Sequence, residues 1–258
     1  MLKRILLTTL FVLLTAAAGT GYFLFAGDYV RAREDAEVCD AIDVVIRDSL
    51  ENALVSRSDV LDFIDSGRQI LGHRRDSILI DSLEKRLLQR GEIRYAEIFT
   101  DNGGNLRIEL LQRHASIRLS GEGREFYSDS TGYLFPVYNK TDVPLVTGFI
   151  PVSYTPGQKG YPSSERELAW MRDMAGLVSY IENHYYWHKT IEQIDIEKNG
   201  DIVFYMRDAA QRFIFGDFSD IPGKFAKMAT YYKGIAPLPE AADYTTVNLK
   251  YDKQIICR

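Results

Sequence analysis

From Ile5 to Ala26 the chain carries no charged residue over 22 positions. As a helix rising 1.5 Å per residue this run would cover about 33 Å, enough for a hydrocarbon core of roughly 30 Å. No later stretch of the 258 residues is as long and as apolar. The expectation is one membrane anchor over residues 5–26, with a cytoplasmic tip over 1–4 and a globular body beyond. Orientation follows from the flanks. Lys3 and Arg4 precede the run, whereas residues 28–37 hold Arg31 and Arg33 against Asp28, Glu34, Asp35 and Glu37. Basic flanks stay in the cytoplasm, which places the N-terminus inside and the body outside. The rival reading is a cleaved signal with Ala16-Ala17-Ala18 at the cleavage site. The apolar stretch continues through Gly21-Tyr-Phe-Leu-Phe25, which favours the anchor.

The net charge is −5, and less the +2 of Lys3 and Arg4 the body stands at −7. Binding a phosphate backbone needs clustered basic residues, so nucleic acid is excluded as a partner. A polybasic membrane-surface module is excluded for the same reason. The two cysteines, Cys39 and Cys257, lie at opposite ends of the body and read as small semi-buried thiols rather than a disulfide framework. Tyr and Phe are abundant, which suits β-rich structure.

Periodicity sets out the first part of the body. Val38–Ile46 alternates as a strand. Ser58 would cap a helix with Val60, Ile64, Gly67 and Leu71 on its apolar face, and Asp81 with Glu84 resembles a capping box for a second helix bearing Leu83, Leu87 and Leu88. Gly91 ends that helix. Strands Tyr95–Thr100 and Leu106–Leu111 flank Asp101-Asn-Gly-Gly-Asn105, a hairpin turn in which Gly and Asn tolerate positive φ. The order is β-α-α-β-β. From about Ala115 short strands and turns take over: Phe126–Asp129, Tyr133–Val137 and Val143–Gly148, then a Pro/Gly/Ser-rich loop from Ser153 to Ser164. Ser164 with Glu167 would cap a helix carrying Leu168, Met171, Val178 and Ile181. Strands Ile191–Lys198 and Asp201–Met206 form a hairpin about Asn199-Gly200, and Gln211–Phe215 adds a strand. Ser219 and Pro222 would start a helix with Phe225, Met228 and Tyr232 inward. Thr246–Tyr251 is the final strand, followed by the tail Asp252–Arg258.

Chemistry-bearing motifs are sparse. His184, His188 and Glu192 have helical spacing for zinc, but the helix is expected to end near Asn183 and a strand to begin at Ile191. Ser82-Leu-Glu-Lys85 has the Ser-x-x-Lys spacing without its companion motifs and reads as a charged helix face. No catalytic residue, metal ligand or cofactor site is expected, and the chain reads as a non-enzyme.

The β-α-α-β-β unit after a single anchor resembles a POTRA domain. Gln112-Arg113 closing that unit, FYSDSTGYLFP (126–136), VPLVTG (143–148), IEQIDI (191–196), FGDFSDIPGKFAKM (215–228) and YTTVNLKYDKQIICR (244–258) resemble the FtsQ/DivIB cell-division family, most like its Bacteroidota versions. Ala115 departs from the pattern, since many relatives have Pro two residues after the Arg. The resemblance implies an α+β chain: a transmembrane helix, a POTRA-like domain over 38–113, and a mixed β-domain with two helices and a C-terminal edge strand over 114–258. It also implies a septal scaffold in the bacterial inner membrane with a periplasmic body. That scaffold would bind FtsB-like and FtsL-like bitopic proteins, and other division proteins through the POTRA-like domain. In the family FtsB adds a strand to an open edge. Tyr251 matches the family's contact aromatic and Lys250 its preceding basic residue. Asp252, Lys253, Gln254, Ile255 and Ile256 would extend the edge, the alternative being that this tail simply pairs within the sheet. The alternative is an envelope assembly or transport chaperone, since POTRA domains also serve beside outer-membrane barrels.

Overall fold

The computed structural model describes residues 2–34, 38–48, 53–65, 70–101, 104–207 and 209–258, without the side chains of residues 2–10, 12, 28 and 30–34. Gly67 and the turn residues Asn102-Gly103 lie outside the described residues, as do the flanking Asp35 and Glu37. Helix α1 (Leu2–Glu34) is a single 33-residue element. Its described apolar side chains, Phe11, Leu13, Leu14, Tyr22, Phe23, Leu24, Phe25 and Tyr29, are exposed. Among the described residues no helix is long and apolar enough to cross a membrane.

The chain divides into two compact units. One comprises Met1–Arg47, Ser56–Gln89 and Tyr95–Leu111; the other comprises Asp48–Val55, Arg90–Arg94 and Gln112–Arg258.

In the first unit strand β1 (Ile42–Ile46) is followed by helices α2 (Arg57–Asp65) and α3 (Ile80–Leu88), then β2 (Ile93–Thr100) and β3 (Leu106–Gln112). The sheet order is β1-β3-β2, with β1 parallel to β3 from Ile42↔Leu106 to Ile46↔Leu110. Val44, Val60, Ile64, Leu83, Leu87, Leu106, Ile108 and Leu110 are buried, as alternation and helical spacing require. Leu71 and Leu88 are exposed instead, and Leu71 lies beyond the end of α2.

The expected caps form differently. Ser56, two residues before Ser58, makes the reciprocal box: Asp59 N–H donates to Ser56 Oγ at 3.1 Å, and Asp59 Oδ2 accepts from Ser56 N–H at 2.9 Å. Leu79 precedes α3 and has no polar side chain to cap it, Asp81 lies inside the helix, and Glu84 Oε1 instead accepts the Ile98 N–H of β2 at 2.7 Å. Ser82 and Lys85 are exposed on α3.

The second unit continues through β4 (Ile117–Gly121), β5 (Arg124–Ser128), β6 (Leu134–Pro136), β7 (Leu145–Gly148), α4 (Glu165–Glu182), α5 (Trp187–Thr190), β8 (Ile191–Ile196), β9 (Ile202–Met206), β10 (Arg212–Gly216), α6 (Ile221–Gly234), β11 (Thr246–Asn248) and β12 (Ile256–Cys257). These strands form one nine-stranded mixed sheet ordered β12-β11-β10-β9-β8-β7-β4-β5-β6. Its apolar core gathers Leu119, Phe126, Met171, Val178, Phe204, Phe213, Phe215, Phe225, Met228, Val247 and Leu249. Phe225 of α6 stacks within 4.9 Å of Tyr180 in α4 and packs on Phe204 and Phe215 of the sheet.

Four motif residues now have physical reasons. Gly148 sits at φ +91°, and a Cβ there would collide with the Ile196 carbonyl of β8, so VPLVTG must end in glycine. Asp129 Oδ1 accepts from Thr131 N–H, Thr131 Oγ and Tyr133 N–H at 2.9, 2.6 and 3.1 Å. Its Oδ2 pairs with Arg113 at 3.1 Å, while the Arg113 guanidinium lies 3.5 Å from the Tyr133 ring centroid. The Asp-Ser-Thr-Gly turn and the Gln-Arg pair are thus one network. Gln112 completes it, accepting the Leu54 and Val55 N–H groups and donating to the Asp48 carbonyl.

Two further caps differ from expectation. Glu167 turns from Ser164 to accept from the Ser153 N–H and hydroxyl. Asp220, not Ser219, caps α6 by accepting the Gly223 N–H. His184 Nδ1 accepts from the Tyr186 N–H and His188 pairs with Glu182 at 3.1 Å, while Glu192 stands on β8.

Candidate functional site

The site expected along Thr246–Tyr251 is built otherwise, and the difference is local chemistry. Strand β11 stops at Asn248 because its own Oδ1 accepts the Lys250 N–H at 3.0 Å, bending the backbone out of the ladder. Leu249 N–H still donates to Ile214 O of β10 at 2.9 Å, and Leu249 stays fully buried. Lys253 at φ +55° then reverses the chain, and Ile256–Cys257 returns antiparallel to β11 in the register Val247↔Cys257, Asn248↔Ile256. The edge of the sheet is therefore β12, and Thr246–Asn248 is an interior strand between β10 and β12.

The open face of that edge follows from the alternation of an antiparallel ladder. Thr246 and Arg258 exchange both backbone hydrogen bonds, at 3.0 and 3.1 Å. Bonded pairs recur every second residue, so Ile256 also faces β11. The N–H and C=O groups of Ile255 and Cys257 point the other way, where the sheet has no further strand among the described residues. The Ile255 and Cys257 side chains pack against the core, which fixes the inward face of β12. An edge of this kind templates an added strand.

The expected contact residues distribute around this edge. Tyr251 is 52% exposed and does not share the buried face of Val247 and Leu249. Asp252, Lys253 and Gln254 are exposed in the turn, and Ile255 and Ile256 are half-buried. Lys250 Nζ donates to Asp201 Oδ2 at 2.7 Å, and that hydrogen bond raises the lysine pKa above its ordinary value. Its stem crosses Gly216 of β10, where an added Cβ would lie 2.6 Å from Lys250 Cγ. The glycine of Phe215-Gly-Asp-Phe218 thus makes room for the lysine.

Sequence reading missed Lys227, Asp201 and Gly216. Lys227, on α6, donates Nζ hydrogen bonds to the Leu249 carbonyl and, at 2.9 Å, to the Tyr251 carbonyl. Only Gly216 left a signal, a small residue at the end of an apolar strand; a lysine meeting carbonyls more than twenty positions away leaves none.

Also on α6, the buried Lys224 donates to Asp217 Oδ1 at 2.6 Å and to the Asp217 carbonyl at 2.9 Å. Hydrogen bonds from Lys224, and secondarily Ser219, hold the Asp217 carboxyl well below the usual carboxylate range.

Two concavities lie elsewhere in the same unit. One, of about 550 Å³, is an apolar groove between the end of α4, α5 and α6, lined by Tyr180, Tyr186, Trp187, Phe225 and Tyr232. The other, of about 800 Å³, contains Arg118, Arg207, Glu182, Glu192 and His188.

Residues 116–258, more than half of the chain, match the family described as FtsQ/DivIB, C-terminal related. Residues 37–111 match the POTRA-like domain. No curated protein matches the chain.

Proposed function

The chain belongs to the FtsQ/DivIB family, and from that premise we propose that it is a non-catalytic scaffold of the cell-division machinery. In this reading residues 5–26 of α1 anchor it in the inner membrane with the N-terminus in the cytoplasm and the body in the periplasm. The exposed apolar side chains of that helix, from Phe11 to Phe25, support an environment other than water. The β-domain binds FtsB-like and FtsL-like bitopic proteins at the septum, and the POTRA-like domain meets other division proteins.

The observation that carries the partner reading is the outer side of β12. Two residues, Ile255 and Cys257, turn their backbone donors and acceptors away from the sheet, and the aromatic ring of Tyr251, at the start of the preceding turn, is exposed. A partner strand would gain main-chain hydrogen bonds there, and Tyr251 would supply apolar contact at one end. Lys250 enters through its charge, already shared with Asp201.

The test is cellular. A fluorescent fusion of the full chain should gather at the division septum, and depletion should leave filamentous cells. A FtsB-like protein should co-purify with the wild type and be lost on deleting residues 252–258. Uniform envelope localisation with normal division would refute the scaffold reading and favour a POTRA-type envelope chaperone, for which the presence of a POTRA-like domain is the supporting feature.

A further inference from the structure

We propose that Lys227 is the positioning residue of the partner-binding edge, holding the 249–258 segment against the sheet from α6. This inference rests on the reading of β12 as the partner edge. The segment is weakly closed on its own. Its turn has one long internal bond, Gln254 N–H to Tyr251 O at 3.4 Å. It passes through a non-glycine residue at positive φ, Lys253, and β12 is only two residues long.

What holds the near end of the turn comes from outside it. Lys227 Nζ bonds the Leu249 and Tyr251 carbonyls, both of which lie beyond the end of β11. The Lys250–Asp201 pair secures the residue between them from the β8–β9 turn. Lys227 is half-buried and its bond to the Leu249 carbonyl is partly buried, so that bond meets less competition from water than a surface one, whereas the bond to the Tyr251 carbonyl is exposed. The Lys227 bond to the Tyr251 carbonyl fixes that residue's backbone and leaves its side chain outward. Lys227 touches no partner in this arrangement and acts through residues 249–251.

The experiment uses the full chain in detergent micelles. Backbone hydrogen exchange is read over residues 244–258, and affinity for the exported segment of the FtsB-like protein is measured by titration. Lys227→Met keeps the stem and removes the donors; Lys227→Arg restores them. A hydrogen bond to a charged donor is worth enough to change local opening roughly tenfold or more. The expected result is exchange at Thr246 and Arg258 about tenfold faster in Lys227→Met, affinity about tenfold weaker, unchanged exchange in β8 and β9, and recovery of both in Lys227→Arg. Unchanged exchange in Lys227→Met overturns the proposal, as does faster exchange with wild-type affinity. If wild type fails to bind while Lys227→Met still loses protection, the clamp stands and the partner reading is what fails.

Discussion

Replacing Asp129 by Ala removes a carboxylate on which four hydrogen bonds converge, three from the Thr131–Tyr133 turn and one from Arg113. Hydrogen bonds to a charged acceptor are worth about 1.5 kcal/mol or more each. The three turn bonds share one oxygen, and the turn keeps its own backbone bonds, Asp129 N–H to Tyr133 O and Gly132 N–H to Asp129 O. They therefore contribute about 2 kcal/mol together rather than the full sum. The Arg113 side chain is only 16% exposed. Stripping its counter-charge adds about 1–2 kcal/mol, less than for a fully buried pair because the ring of Tyr133 and some water still meet it. The total is about 3–4 kcal/mol, or a fall in Tm of roughly 6–16 °C at about 2–4 °C per kcal/mol for a unit of this size. Asp129→Asn keeps the acceptor and loses the charge, for an expected cost of about 1–2 kcal/mol. Urea unfolding of the three proteins, followed by circular dichroism, measures both. Asp129→Ala within 1 kcal/mol of wild type would refute the network, and Asp129→Asn falling as far as Asp129→Ala would refute the division between turn and ion pair.

Gly148→Ala should destabilise by about 2–4 kcal/mol, since it combines a positive φ with a backbone collision at Ile196; a near-neutral urea midpoint would mean that β7 and β8 separate freely. Asp217 is depressed in the folded state, so its pair with Lys224 contributes stability that is present above about pH 4, the unfolded carboxylate value, and is lost as pH falls toward the folded pKa. The Tm of wild type should therefore fall more steeply than that of Asp217→Asn between pH 4 and pH 2, and parallel curves would contradict the assignment.

How much the residues disclosed depended on the range of the interaction. The β-α-α-β-β order was legible because each element buries its own periodic face, as Leu106, Ile108 and Leu110 do in β3. The hairpin at Asn199-Gly200 was legible because the turn chemistry is local. Capping was misread wherever a second backbone competed. Glu84 and Glu167 stand at box spacing, yet each accepts an amide from a distant segment. The parallel pairs β7–β8 and β10–β11 join strands separated by a helix, and no local pattern encodes their neighbours. The edge was misplaced for a related reason. Thr246–Tyr251 alternates like a strand, but the Asn248 side chain ends it and the following turn brings back β12.

β12 and Tyr251 are proposed to form a strand-adding partner surface. The direct measurement is calorimetric titration of the full chain in detergent micelles with the exported segment of its own FtsB-like protein, comparing wild type with Tyr251→Glu. Wild type should show saturable one-to-one binding. Tyr251→Glu should lose about 2 kcal/mol or more, roughly 30-fold, with Tm nearly unchanged because the ring is exposed. Absence of binding by well-folded wild type, or equal binding by the variant, would contradict that proposal.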